Sequence, residues 1–103
     1  MDFRLDTEHE ELVELYRQFA EQEVKPLAAE IDRTERFPRE TVDKMAEMGM
    51  LGIPFPEEWG GTGMDNLSYA QCIEEIAKVC ATTAVIISGH TSLCVWPIYN
   101  FGT

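Results

Sequence analysis

Positive charge is what this 103-residue sequence has least of: eight Lys and Arg stand against nineteen Asp and Glu, for a formal net charge of −11. A surface of that sign repels phosphate backbones and anionic lipid, which disfavours nucleic-acid and membrane-surface roles. Cysteine is also sparse. Cys72, Cys80 and Cys94 are odd in number and form no C-x-x-C pair, so neither a disulfide framework nor a zinc ribbon is signalled and a reducing cytoplasm fits best. The opening residues Met1 to Glu8 are acidic and hold no apolar run, so no secretory signal is read there. Internal repeats, low-complexity tracts, linkers and strand-like alternation are all missing. Charge of either sign disappears from Val79 to Thr103, a run of twenty-five residues.

What is present is helical patterning. With 45% hydrophobic and 26% charged residues, the chain can fill one core and still dissolve, and its length suits one domain spanning residues 1–103. Thr7 and Glu10 have capping-box spacing. Leu12, Leu15, Tyr16, Phe19 and Ala20 follow as the apolar stripe of a first helix, with Glu and Arg between them. Pro26 predicts an end or kink at Lys25 and a second short helix through Ile31. Phe37-Pro38 opens a third helix with Val42, Met45, Ala46 and Met48 on its apolar face and Gly49 as its stop.

Residues Leu51 to Gly63 hold four glycines and two prolines and read as the one long loop. Asn66 or Asp65 caps a fourth helix with a stripe of Leu67, Ala70, Ile73, Ile76 and Ala77. The uncharged C-terminal stretch is long enough to span a bilayer, but Thr82, Ser88, His90, Pro97 and Asn100 interrupt it and no Lys or Arg anchors it. It is read as a buried helix around which the others pack, with no membrane span. The expected fold is all-α, an orthogonal or bundle-like packing of about five to six helices.

The chemistry-bearing residues favour plain roles. His90 and Cys94 share a helix face at metal-pair spacing, but two ligands do not make a site. No carboxylate lies nearby to orient a Cys–His nucleophile. His9 carries no ligand pattern. Trp59-Gly60-Gly61-Thr62-Gly63 ahead of a helix start resembles a phosphate-cradling loop, yet Glu57, Glu58 and Asp65 surround it and no Lys follows, so a structural glycine turn is the better reading. Glu10, Glu11, Glu14, Glu21 and Glu23 read as a solvated face. Ser88, Gly89, Thr91 and Ser92 leave room beside the last helix, suiting either close packing or the wall of a ligand pocket.

The order of the parts resembles the N-terminal domain of acyl-CoA dehydrogenases along essentially the whole chain. The residues that carry the resemblance are Leu5 to Leu12, Val24-Lys25-Pro26-Leu27-Ala28 with Asp32, Met48 to Ile53 leading to Pro56 through Gly63, Glu74 to Lys78, and Ser92-Leu93, Pro97-Ile98 and Phe101-Gly102-Thr103. The last pieces look closest to short-chain, butyryl-CoA-type members. The resemblance implies a flavoprotein of three domains that desaturates an acyl-CoA at the α,β position, with FAD as hydride acceptor and a Glu of the C-terminal domain as base. It implies an electron-transferring flavoprotein as partner and a homotetrameric assembly. Carried onto this sequence, the far wall of the acyl pocket is Val85, Ile86, Gly89 and Leu93. No catalytic, cofactor-binding or metal residue is expected in this chain, and because it stops where family members continue, it is expected alone to hold no flavin, to be inactive and to self-associate. A stand-alone helical binding or interaction module is the rival expectation.

Overall fold

The computed structural model describes residues 3–102; Met1 and Asp2 of the acidic opening, and Thr103 of the last family motif, lie outside the described residues. The described residues are all helix and loop. Six α-helices, α1 (Thr7–Phe19), α2 (Lys25–Thr34), α3 (Arg39–Glu47), α4 (Asn66–Ala77), α5 (Ala81–Ser88) and α6 (Trp96–Phe101), are joined by two π-helical turns and one short 3₁₀ turn.

Asp6, not Thr7, is the N-cap of α1, since its carboxylate accepts the backbone N–H of His9 at 2.9 Å. An ionised side chain beside the positive end of the helix is a better acceptor than the hydroxyl one residue on. Pro26 does not end the helix. Ala20–Val24 forms a π-turn, in which Lys25 N–H bonds the Ala20 carbonyl, and α2 continues from it. Proline lacks the N–H that would bond four residues back and clashes with that carbonyl; a wider turn just upstream relieves both problems without breaking the rod. The same device recurs before Pro97, where Gly89–Val95 is wide and Trp96 N–H bonds Thr91 O. The six helices therefore form four rods.

α4 is the central element, packing on α1 on one side and α5 on the other. Tyr16, Phe19 and Val24 meet Met45, Met50, Ile53, Cys72, Ile76 and Ile87 in the core. The expected stripe of α4 is mostly not the buried one. Leu67, Ala70 and Ala77 are exposed and Ile73 is half-buried, whereas Ser68, Gln71, Cys72, Glu75 and Ile76 face inward. Leu15, Ala46 and Met48 are exposed as well. Glu75 is tolerated inside because Arg17 of α1 and Lys78 donate to its Oε1 at 3.3 and 3.0 Å. Burial pushes the Glu75 carboxyl up, but those hydrogen bonds outweigh it and hold the group below its ordinary value.

Asp65 caps α4 by accepting from Ser68 N–H. Between α3 and α4, Gly49 (φ 76°) stops the helix in the left-handed region as expected. The glycine-rich loop spends its amides on itself: Gly61 N–H reaches Pro56 O, Thr62 N–H reaches Gly52 O and Gly63 N–H reaches Phe55 O, at 2.8 to 3.0 Å. They are turned inward and unavailable to a phosphate. A side chain at Gly61 would collide with the Phe55 carbonyl. This is a structural turn.

The C-terminal rod departs most from expectation. Over Ala81–Phe101 only 22% of its most apolar stretch is buried, so it is not the buried central helix expected and gives the core one edge. Thr83, Ala84, Ile87 and Thr91 form its inner edge, while Val85, Leu93, Ile98 and Phe101 are exposed. By length and composition alone it could cross a membrane.

Candidate functional site

The outer face of that rod is where the candidate site residues lie. Val85 is 67% exposed and Leu93 79% exposed, and between them a Cβ built on Gly89 would meet no atom within 4 Å. Val85, Gly89 and Leu93 thus make an apolar row with a gap at its centre. Ile86 is half-buried beside the row. Val85 and Ile86 share a groove of about 510 Å³ with Phe37 and Pro38, rimmed by Arg36. Arg36 is itself clamped by Glu30 (2.8 Å) and Glu40 (2.6 Å). Gly89 and Leu93 are placed on the row but not in that groove, so the structure joins the four residues along one helix rather than around one cavity.

Two grooves on the other side of the rod were not foreseen. One, of about 420 Å³, is lined by Trp59, Val95, Ile98, Tyr99 and Gly102. The other, of about 310 Å³, brings His90 and Tyr99 against Phe55 and the glycine loop. Tyr99 meets Phe55 edge-on, with ring centroids 5.6 Å apart. The signal was legible in part, since Val95, Ile98, Tyr99 and Gly102 recur at helical spacing; that Trp59 of a distant loop completes the face was not. His90 is at a groove wall and Cys94 is exposed. Among the described residues no group of three His, Cys, Asp or Glu is arranged to hold a metal.

A polar cluster lies outside these grooves, at the starts of α1 and α4. His9 stands between two carboxylates, with Nδ1 2.7 Å from Asp6 Oδ1 and Nε2 2.9 Å from Asp65 Oδ2. Both acceptors are helix N-caps, so one imidazole ties the start of α1 to the start of α4. The hydrogen bond to Asp6, followed by that to Asp65, raises the His9 value above its ordinary 6.5. Asp65 is held down to about 2 by the Ser68 amide, then the Ser68 hydroxyl, and also by His9. No local motif signals this link, because His9 and Asp65 lie 56 residues apart.

The family description "Acyl-CoA dehydrogenase, N-terminal domain" matches residues 6–103. The chain belongs to the acyl-CoA dehydrogenase N-terminal domain family. Among its curated relatives, the short-chain specific acyl-CoA dehydrogenase of Clostridium acetobutylicum is 58% identical over the whole chain, which covers 27% of that protein. The mitochondrial short-chain specific acyl-CoA dehydrogenase of Homo sapiens is 45% identical over 92% of the chain and 23% of its own length. Among solved structures, butyryl-CoA dehydrogenase from Megasphaera elsdenii superposes with a TM-score of 0.91 at 36% identity, covering 100% of this chain and 28% of that one. A chain described under the electron transferring flavoprotein of Acidaminococcus fermentans and flavin-based electron bifurcation superposes at 0.94 with 43% identity, covering 100% of this chain and 27% of that one. The acyl-CoA dehydrogenase domain described here therefore spans about a quarter of the length of the relatives it matches.

A flavin needs several aimed N–H donors and positive charge for its diphosphate. The two grooves beside Tyr99 are lined by aromatic, aliphatic, glycine and histidine residues without Lys or Arg, and the glycine-loop amides are already bonded internally. These residues do not fit a flavin.

Proposed function

We propose that these residues form the acyl-pocket domain of a FAD-dependent acyl-CoA dehydrogenase acting on short-chain thioesters. The overall reaction would remove the α-proton and pass hydride from the β-carbon to flavin, giving the α,β-unsaturated acyl-CoA, with an electron-transferring flavoprotein as the onward acceptor. A homotetrameric enzyme of the cytoplasm fits this reading. No residue described here is assigned to the flavin or to proton removal.

The observation that carries the reading is the exposed apolar row with its central gap, on a chain that matches the family over residues 6–103. The part played by these residues is to bind, orient and exclude water. Val85 and Leu93 offer apolar surface to the acyl chain, with each buried methylene contributing about 0.8 kcal/mol. The gap at Gly89 gives the chain end depth, and Ile86 bounds it. The rod is long and apolar enough for a membrane, but its Thr82, Ser88, His90 and Asn100 suit protein cover better than lipid.

The test is the intact mass of the polypeptide from its native source, with absorbance in the flavin band read before and after a short acyl-CoA is added. A yellow protein several times larger, bleached by substrate, is the expected result. A colourless protein of 11.7 kDa that ignores the thioester would overturn the proposal.

A further inference from the structure

The irregularity in the C-terminal rod lies in the middle of the proposed acyl wall. In an α-helix of 3.6 residues per turn, a step of four overshoots a full turn, and residues four apart drift round the axis. In the π-turn Gly89–Val95 the bonds run from residue i to i+5, as from Trp96 N–H to Thr91 O. More residues fill each turn there, and a step of four falls short. The drift from Val85 to Gly89 is therefore reversed from Gly89 to Leu93. Leu93 thus returns to the line of Val85, with Gly89 to one side of it, away from the buried edge of Ala84, Ile87 and Thr91.

Two hydroxyls tether this turn to the rest of the domain. Buried Thr91 donates to the Leu51 carbonyl at 3.5 Å, a long bond. Ser92 Oγ lies 2.7 Å from the hydroxyl of Tyr69 on α4, the shorter and stronger link. The pair spans a gap of about 250 Å³ lined by Pro54, Asn66, Tyr69, Thr91, Ser92 and Trp96. That space leaves the turn room to settle differently when the bond is cut.

We infer that Tyr69 is a positioning residue: through Ser92 it holds the wide turn in the register that aligns Leu93 with Val85, and so sets which acyl length the wall accepts. The inference rests on the acyl-wall reading above, and its test separates the two. In the complete dehydrogenase, Tyr69→Phe, Ser92→Ala, their combination, Ser92→Thr and Leu93→Ala are assayed on straight-chain acyl-CoA thioesters of increasing length, with kcat and KM resolved. Tyr69→Phe keeps the ring and loses one hydroxyl, so the domain still folds.

In each single variant of the pair, the kcat/KM ratio between the best thioester and the next longer one is expected to fall by about threefold or more, chiefly through KM. The double variant should fall no further, since both changes cut one bond, and Ser92→Thr should keep the parent profile. An unchanged ratio in Tyr69→Phe while Leu93→Ala shifts it overturns the inference and leaves the acyl wall standing. Additive effects of the two hydroxyls overturn it too. An unchanged ratio in Leu93→Ala overturns the wall and the inference together.

Discussion

At the scale of single residues, His9 and Gly89 show how far a side chain's role depends on what faces it. A neutral imidazole donates from one nitrogen only, whereas the imidazolium donates to Asp6 and Asp65 together. Because the folded value of His9 is raised, its contribution to stability is complete below the ordinary 6.5 and is lost as pH rises through the raised value. Asp65 works in the opposite sense: its contribution is complete above the ordinary 3.8 and is lost as pH falls toward about 2. Stability linked to this cluster should therefore plateau between 3.8 and 6.5. His9→Gln should remove the alkaline fall, as read from urea midpoints across the pH range, and an unchanged fall would assign it elsewhere. Gly89 sits at ordinary right-handed dihedrals with open space where a Cβ would go. Gly89→Ala should accordingly raise stability by about 0.5–1 kcal/mol. In the complete enzyme it should also lower kcat/KM for longer acyl chains, because the added methyl fills the gap; higher stability with an unaltered length profile would place the pocket end elsewhere.

Among the elements, the two wide turns are where sequence rules mislead. Pro26 reads as a helix end or a kink, and the chain runs from Thr7 to Thr34 without leaving helical geometry, through a wide turn. The rule that proline breaks a helix assumes that the turn before it stays tight, and here it widens. Replacing Pro26 by Ala restores a donor at that position. The expected gain in the urea-unfolding free energy is about 1 kcal/mol, less than the ~3 kcal/mol of a proline that nothing accommodates. A loss of stability would mean that packing of the buried Ala20 and Val24, not the proline, creates the wide turn. The stop at Gly49 and the start at Asp65 were legible because they depend on local chemistry: a left-handed glycine in one case and a carboxylate facing free amides in the other. The inward face of α4 was not, because Glu75 can turn inward only when Arg17 of another helix arrives to meet it.

For the whole molecule, the balance of covered and uncovered apolar surface matters most. Val85, Leu93, Ile98 and Phe101 on the last rod, and Leu67 on α4, stand in solvent in this chain. Large exposed apolar surface marks a face that associates. The 103-residue chain by itself should therefore sediment as oligomers at high concentration, and a strictly monomeric species would show that this surface needs no cover. The sequence by itself determined the all-helical class, the acidic surface, the glycine loop as a structural turn and the family resemblance, since these follow from periodicity, net charge and motifs of a few neighbouring residues. Only the tertiary structure decided that the uncharged last helix gives the core one edge and leaves the rest exposed, that Asp6 and Asp65 share one histidine, and that Trp59 and Tyr99 line one groove. Hydropathy reports how much a helix gains by leaving water but not which neighbour removes it from water, and that depends on contacts between residues far apart in the chain.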